Sequence, residues 1–228
     1  MLRDLAKLFS DFNLFMEAAS GTEYVRARIV KDFERPSTAE ELGTAPPAKA
    51  LASRMSPAGI SMFYAACEDD TAVLETYEHE RKESNIIALA RFQALRHLIL
   101  LDLTNLPPIP SQFDFESRPE RPSIAFLRAF VTDFTKPIKR DQRVHTAYVP
   151  TQIVTEFVRY RLRTPDNRPV DGIVYGSARN RGSKAVVVFA DPEHCGPRAD
   201  RKWSDPEPFL ELTAVRYAAP REFEHLWS

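Results

Sequence analysis

The stretch that most constrains the fold runs from residue 52 to residue 78, ASRMSPAGISMFYAACEDDTAVLETYE. A proline and a glycine two positions apart predict a tight turn, and residues 60–66, rich in β-branched and aromatic side chains, predict a short strand. Three acidic residues then mark the start of a helix, because a short carboxylate can satisfy the free amides of a first turn. A turn, a strand and a helix in this order would bring Arg54, Tyr64 and Glu75 near one another. Such a set could bind a phosphorylated ligand.

A second informative segment is residues 23–31, EYVRARIVK, whose alternation predicts a strand. Arg26 and Arg28 are two positions apart, so both point to the same face of that strand. An arginine pair on a half-buried strand needs an anionic partner, because an unpaired buried guanidinium is costly. The partner is either a carboxylate of the protein or a phosphate of a ligand. Taken alone, the pattern favours the carboxylate, that is, a structural salt bridge.

The remaining elements follow from apolar spacing. They are an amphipathic helix within 2–18, a long loop at 32–53 with a helical turn at 38–42, neighbouring strands at 85–91 and 95–103, helices at 123–134 (capped by Ser123) and 149–163 (with Pro150 in its first turn), a strand pair at 170–175 and 184–190, and a closing strand at 209–218. This mixture predicts an α+β fold with a mixed sheet core flanked by helices, and not a doubly wound parallel sheet. We expect the first helix to dock on the domain. Alternatively, the apolar face of this helix contacts a second subunit or a partner protein. A homodimer is therefore a hypothesis.

Charge and cysteine content exclude several classes of function. A formal net charge of −1 gives no overall attraction to nucleic acid or to an anionic membrane. The basic run at 136–143 is interpreted as a solvated loop, since no basic stripe continues elsewhere, so we expect no direct nucleic-acid contact. Cys67 and Cys195 are too few for a disulfide scaffold or a cysteine-based metal site. With neither a signal-peptide pattern nor an apolar run of spanning length, we expect a cytoplasmic protein without a membrane segment.

Common catalytic motifs are also missing from the sequence. No GxGxxG, Walker loop, HExxH, CxxC pair or GxSxG elbow occurs. Their absence argues against a Rossmann dehydrogenase, a kinase-like NTPase, a zinc hydrolase and an α/β-hydrolase, and we expect no bound metal.

Several pieces of the sequence, taken in order, resemble the RES domain. They are Arg26-Ala-Arg28, Arg54-Met-Ser-Pro-Ala-Gly59, Phe63-Tyr64-Ala-Ala66, Glu75, Tyr148-Val-Pro-Thr-Gln152, Asp171-Gly-Ile-Val-Tyr175-Gly-Ser177 and Phe189. Each piece alone is weak, but their order and spacing together make the match specific. The resemblance covers residues 22–191, preceded by an N-terminal amphipathic helix segment at 1–21 and followed by a C-terminal extension at 192–228 packed on the domain. The sequence departs from the family pattern where a Gly-rich lead-in often precedes the second arginine, since residues 50–53 read ALAS.

The resemblance implies a fold related to ADP-ribosyltransferase toxins and an enzyme that consumes NAD⁺. Family members resemble toxins that cleave the nicotinamide–ribose bond by hydrolysis or phosphorolysis and are blocked by a cognate antitoxin or immunity protein. NAD⁺ is then the substrate, inorganic phosphate is a candidate co-substrate, and no other cofactor is needed. The family's functional residues fall on Arg26 or Arg28, Arg54, Tyr64, Glu75 and Ser177, and Tyr175 of the last motif is a further substrate-binding candidate.

These residue types suit the chemistry. Cleavage develops positive charge on the ribose, so a carboxylate close to the sugar, here Glu75, would stabilise the transition state. Arg54 and one arginine of the first strand would bind the pyrophosphate or an attacking phosphate. Tyr64 would stack on the nicotinamide or the ribose, and Ser177 would hydrogen-bond one of them. Two of these assignments have a purely structural alternative. Glu75 is then a solvated glutamate on a helix, and Tyr64 is a tyrosine of the core.

Two other functions remain open from the sequence. One is transfer of ADP-ribose to a macromolecule. Transferases of that kind usually carry a second acidic residue two positions before the catalytic one, and Val73 stands there instead. The other is a non-catalytic binding or interaction module.

Overall fold

The computed structural model describes residues 2–77, 85–136, 144–196 and 206–226, without the side chains of 144–147. The strands are β1 Phe15–Ala18, β2 Glu23–Lys31, β3 Phe63–Ala66, β4 Asn85–Ala94, β5 Leu98–Asp102, β6 Gly172–Gly176, β7 Lys184–Val188 and β8 Leu210–Ala218. The helices are α1 Leu2–Asp11, α2 Ala39–Leu42, α3 Asp69–Tyr77, α4 Arg121–Thr135 and α5 Val144–Tyr160. Within the described residues, the strands form one sheet in the order β1-β5-β6-β7-β3-β2-β4-β8. The predicted α+β fold with a mixed sheet and flanking helices is confirmed.

Both faces of the sheet are covered. Residues directly opposite each other in neighbouring strands share a face, so Val25 of β2, Ala66 of β3 and Ala185 of β7 lie on one side. On that side α3 packs over β2 and β4, and α1, α4 and α5 pack over the β5–β7 part. The opposite face packs with α2, and its core includes Phe63 and Phe92, whose ring centroids lie 4.9 Å apart.

The middle of the sheet is where two of its strands separate. β2 pairs with β4 over the whole range Glu23–Lys31, and β3 pairs with β7 over all of its residues. Between β2 and β3, in contrast, the described pairing is confined to Val25 and Ala66. The two strands therefore diverge beyond that pair, and the backbone groups along their facing edges become available to side chains.

Two sequence predictions about pairing and helix length were wrong. The helix expected within 2–18 ends at Asp11, and residues 15–18 form β1, which pairs with β5. The change occurs at Asn13, whose φ of 48° is a left-handed conformation that asparagine tolerates. The strands predicted as neighbours, β4 and β5, are not adjacent. β4 lies between β2 and β8, while β5 lies between β1 and β6 and is parallel to β6.

The helix starts predicted near residues 123 and 149 were also wrong. α4 begins at Arg121, and a proline in its first turn, which needs no hydrogen-bonded N–H, takes the place of a Ser123 cap. α5 begins at Val144, so Pro150 lies inside the helix rather than in its first turn. The C-terminal extension does more than pack on the domain, because β8 pairs with β4 as part of the sheet. The basic run beyond Lys136 lies outside the described residues.

The N-terminal helix docks on the chain's own core. Leu5 and Phe9 are 2% and 0% exposed and belong to the cluster under α4 and α5. The apolar face that suggested a homodimer is therefore used within the chain, and self-association stays a prediction without that support. Among the described helices, none is both long enough and apolar enough to span a membrane.

Candidate functional site

A cleft of about 1180 Å³ opens where β2 and β3 diverge. Its walls come from β2, β3, α3, the loop at 34–54, the start of α5 and the turn after β6. Six of the seven residues predicted from the sequence line it, namely Arg26, Arg28, Arg54, Tyr64, Glu75 and Tyr175. Ser177 contacts the cleft indirectly, through Glu75.

Arg26 occupies the gap between the diverging strands. Its Nη1 donates a hydrogen bond of 2.7 Å to the backbone carbonyl of Tyr64, and its guanidinium lies 5.6 Å from the ring centroid of Phe63. Burial lowers the pKa of Arg26, and the neighbouring charge of Arg28 lowers it further. Even so, an arginine in a protein keeps its proton. Arg26 is therefore a half-buried, charged group whose direction is fixed by a carbonyl.

Arg28 lies two residues along the same strand and is exposed. Its Nη1 donates to the backbone carbonyl of Glu41, which follows the loop after β2. Arg54 comes from the other wall, and its Nη1 donates at 3.3 Å to the carbonyl of Phe134 at the end of α4.

The structural salt bridge favoured for the arginine pair is not present. In the parts of the chain that the structure describes, no carboxylate lies within 4.0 Å of the guanidinium of Arg26, Arg28 or Arg54. All three donate instead to backbone carbonyls, which orient a guanidinium without neutralising its charge. Carboxylates also line the cleft, Glu41 and Glu75 among them, but none of those described is in ion-pair contact with these three guanidinium groups. The region around the arginines is therefore suited to an anion.

Tyr64 lies between the two arginine-bearing walls. Its hydroxyl makes hydrogen bonds with the hydroxyls of Ser53 and Ser56, the latter at 2.9 Å. Burial is the main cause that raises the pKa of Tyr64, so the phenol is neutral at ordinary pH. Because its hydroxyl is engaged by two serines, the ring is the part of Tyr64 that the cleft offers to a ligand.

Glu75 and Ser177 form a direct pair although they are 102 positions apart. The Ser177 hydroxyl accepts from the backbone N–H groups of Arg179 (3.2 Å) and Asn180 (3.0 Å). Its single proton is donated to Glu75 Oε1 at 2.6 Å. A hydroxyl-to-carboxylate bond of that length is charge-assisted and strong. It fixes one oxygen of a carboxylate that lines the cleft.

Tyr175 completes the wall behind the carboxylate. It is 9% exposed, and burial followed by the charge of Glu75 raises its pKa far above the ordinary value. The neighbouring Tyr64 phenol raises the pKa of Tyr175 further, and the charge of Arg54 opposes the increase. The pKa of Tyr175 thus depends on Tyr64, Glu75 and Arg54, which come from three different segments of the chain and lie close to it.

Sequence reasoning missed other residues of the cleft. Tyr148, at 8% exposure on α5, and Arg179, in the turn after β6, both line it. Tyr148 is the first residue of the Tyr148–Gln152 piece that resembles the RES domain, so the sequence held a signal for it. Arg179 had none, because an arginine in a polar turn is ordinary. The described residues hold no group of three or more His, Cys, Asp or Glu side chains suited to a metal ion.

Comparison with known proteins identifies one family. The family model for the RES domain matches residues 26–210, well over half of the 228-residue chain. The match begins at Arg26 and reaches the first residue of β8, so it extends past the boundary at 191 drawn from the sequence. No curated protein and no solved structure matches the chain. At the level of the family, the match supports an NAD-related role of the toxin–antitoxin kind.

Proposed function

The chain belongs to the RES domain family, and from that premise we propose that it cleaves NAD⁺ at the bond between nicotinamide and ribose. The observation that carries the proposal is the arrangement of charge in the cleft. Arg26, Arg28 and Arg54 have no carboxylate within ion-pair distance among the described residues, while Glu75 lines the same cleft with one oxygen held by Ser177. The arginines would match the negative charge of a pyrophosphate. The glutamate would match a ribose that becomes cationic.

The chemistry at the sugar needs a carboxylate but no acid. When the glycosidic bond breaks, its electron pair moves to the ring nitrogen of the nicotinamide, which leaves as a neutral molecule. The positive charge then rests on the ribose, and the carboxylate of Glu75 stabilises it across the cleft. The acceptor, water or phosphate, forms the new bond to the same carbon, and water gives up a proton in doing so.

The anionic part of the substrate is assigned to the arginines. A guanidinium donates two parallel hydrogen bonds to a phosphate, and desolvation by the walls strengthens them. We assign Arg54 and Arg26 to the pyrophosphate or an attacking phosphate, and Arg28 is the alternative to Arg26. The rings of Tyr64 and Tyr175 provide the apolar surface for the nicotinamide or the ribose.

Transfer of ADP-ribose to a macromolecule is the weaker candidate. Val73, two positions before Glu75, is 0% exposed and packs in the core under α3, so that position contributes no acidic group to the cleft. In a cell, the proposed activity would deplete NAD⁺ and make the protein a toxin, restrained by an antitoxin or immunity protein.

The test is to incubate the purified chain with NAD⁺, with and without inorganic phosphate, and to identify the products by chromatography and mass spectrometry. We expect nicotinamide together with ADP-ribose if water is the acceptor, or with phosphorylated ADP-ribose if phosphate is. Glu75→Gln should lower the rate at least 100-fold, as expected for removing the charge that faces the transition state. Asp70→Asn is the matched control, because it removes a carboxylate from the same helix outside the cleft lining.

Each other outcome has a definite meaning. NAD⁺ that stays intact with well-folded protein contradicts the proposal. Label from NAD⁺ that appears on a macromolecule rather than in small products identifies a transferase. Equal rates for Glu75→Gln and the wild type would remove Glu75 from the reaction.

A further inference from the structure

The turn at residues 53–56 carries Arg54 but belongs to no helix or strand. It is closed by a hydrogen bond of 2.8 Å from the N–H of Ser53 to the carbonyl of Ser56. Met55, at 1% exposure, anchors it in the core. A second hydrogen bond of 3.2 Å runs from the N–H of Ser56 to the hydroxyl of Ser53. Because neither turn bond involves the backbone of Arg54 itself, further contacts are needed to fix the direction of its side chain.

Two adjacent side chains of α5 supply those contacts. The Thr151 hydroxyl shares its single proton between two backbone carbonyls, that of Arg54 at 2.6 Å and that of Tyr148, in its own helix, at 2.8 Å. The side-chain amide of Gln152 donates to the carbonyl of Ser53 at 2.8 Å and to that of Ser56 at 3.2 Å. Since an amide nitrogen carries two protons, one glutamine can hold the first and the last carbonyl of the turn together.

The same turn also orients Tyr64. The two serines that close it are the partners of the Tyr64 hydroxyl, and the Ser53 and Ser56 hydroxyls lie 2.9 Å from each other. A displacement of the turn would therefore move the Arg54 guanidinium and the Tyr64 phenol together. Among the described residues, Thr151 and Gln152 make no hydrogen bond to either of these side chains and contact the turn only through its backbone.

We propose that Thr151 and Gln152 are positioning residues for the reaction, acting through the turn at 53–56 on Arg54 and Tyr64. The proposal rests on the proposed function, since it concerns how the anion-binding side of that site is held. Misplacing a binding group by about 1 Å can cost up to about 100-fold in rate. The two α5 side chains thus control transition-state binding from outside the cleft.

The variants follow from the hydrogen bonds. Thr151→Val removes the hydroxyl at nearly constant volume, Thr151→Ser keeps it, and Gln152→Met removes both amide donors while keeping the length of the chain. Thr155→Val is the matched control. Thr155 is also a buried threonine of α5, but its hydroxyl donates to the Thr151 carbonyl within the helix and not to the turn.

We expect Thr151→Val and Gln152→Met to lower kcat/KM for NAD⁺ by about 10-fold or more, while Thr151→Ser and Thr155→Val stay near the wild type. The melting temperatures of Thr151→Val and Thr155→Val should be similar, since each loses one buried hydroxyl donor. In an Arg54→Ala background, Gln152→Met should cost less than in the wild type, because the part of its effect that passes through Arg54 is already lost. A merely structural role would instead lower kcat/KM in step with melting temperature in both valine variants.

A second readout separates this proposal from the proposed function. The affinity of each variant for ADP-ribose, measured by calorimetry, does not require turnover. If the wild type binds ADP-ribose but releases no nicotinamide, the proposed function fails, and a weaker affinity in Thr151→Val and Gln152→Met than in Thr155→Val still supports the positioning role. If those two variants match Thr155→Val in turnover and in affinity, the positioning role is overturned. A wild type that neither binds nor turns over overturns both.

Discussion

Ser177→Ala is the change that most directly tests how the carboxylate of the cleft is held. The Ser177 hydroxyl donates to Glu75 Oε1 at 2.6 Å, and its own oxygen accepts from two backbone N–H groups of the following turn. Those two donors force the single proton of Ser177 toward Glu75. Without the hydroxyl, the carboxylate can rotate away from the direction in which it faces the ribose.

The expected size of the effect follows from these three bonds. A hydrogen bond to a charged group contributes about 1.5–3 kcal/mol, and a tenfold change in rate corresponds to about 1.4 kcal/mol. We therefore expect Ser177→Ala to lower kcat about 10- to 100-fold. The two N–H groups that lose their acceptor are close to solvent at a turn, so we expect a loss of about 1–2 kcal/mol in the free energy of unfolding.

The assay is nicotinamide release at a temperature well below the melting transition of the variant. Ser183→Ala is the matched control, because the Ser183 hydroxyl also links the β6–β7 turn to a carboxylate of the α3 region, Glu68 Oε2 at 3.0 Å, without lining the cleft. It should leave kcat unchanged. In a Glu75→Gln background, Ser177→Ala should add little, since the group it orients is already lost.

Two results would refute this reasoning. A folded Ser177→Ala protein with the kcat of the wild type would mean that Glu75 is held by other groups or does not act on the ribose. An equal loss in Ser183→Ala would mean that the rate follows the integrity of the turn rather than the bond to Glu75.

Two further predictions concern the stability of the sheet. The hydroxyl of Tyr24 is buried without a hydrogen-bond partner among the described residues, so Tyr24→Phe should raise the free energy of unfolding by about 1 kcal/mol. Burial raises the pKa of Tyr24 from 10.0 to about 12, so the phenol ionises in the unfolded chain first and stability should fall between about pH 10 and 12. Tyr24→Phe should lose that part of the pH dependence in chemical denaturation, and an unchanged alkaline profile would contradict the assignment. Gly172→Ala should destabilise by about 3 kcal/mol, because a Cβ there would lie 2.4 Å from the carbonyl oxygen of Val187. Gly176→Ala, which meets open space on the same strand, should stay near the wild type, and equal melting temperatures for the two variants would show that the sheet yields at Gly172.

The elements that the sequence predicted well are those with a local signal. Residues 23–31 alternate with period two and form β2, and the strand pair around Gly176 and Gly182 forms β6 and β7. The helical turn near 38–42 also forms, because Thr38 and Glu41 make a capping box. In each case neighbouring residues decide the conformation, so a short window of sequence is enough.

The wrong predictions are those that distant residues decide. Phe15 and Met16 fit the apolar spacing of the first helix, yet they pair with Leu101 and Leu100 of β5, a choice that depends on a strand more than eighty residues away. β4 and β5 follow each other along the chain, but both edges of β4 are taken by β2 and β8. Chain order favours pairing of consecutive strands without fixing it.

The same distinction applies to the site. The residue types and their order along the chain predicted that Arg54, Tyr64 and Glu75 lie near one another, and all three line the same cleft. Their roles in a reaction stay a prediction. Two other contacts join residues about one hundred positions apart. They are the hydrogen bond between Ser177 and Glu75 and the hydrogen bond from α5 to the turn at 53–56. No pattern of spacing encodes such contacts, and they appear only once the sheet has brought the segments together.

The way in which the arginines are held supports the proposal that the cleft binds an anion. Arg26, Arg28 and Arg54 each donate to a backbone carbonyl, of Tyr64, Glu41 and Phe134 respectively. A carboxylate partner would fix the guanidinium equally well but would cancel its charge, and a ligand would then have to displace it. A carbonyl fixes the direction and leaves the charge to act. Leaving these charges without a carboxylate partner has an energetic cost. It appears at Arg26, where burial and the charge of Arg28 both lower the pKa. Since an anion between the walls would reduce both penalties, the proposed binding of a pyrophosphate would gain from relief of repulsion already present in the fold.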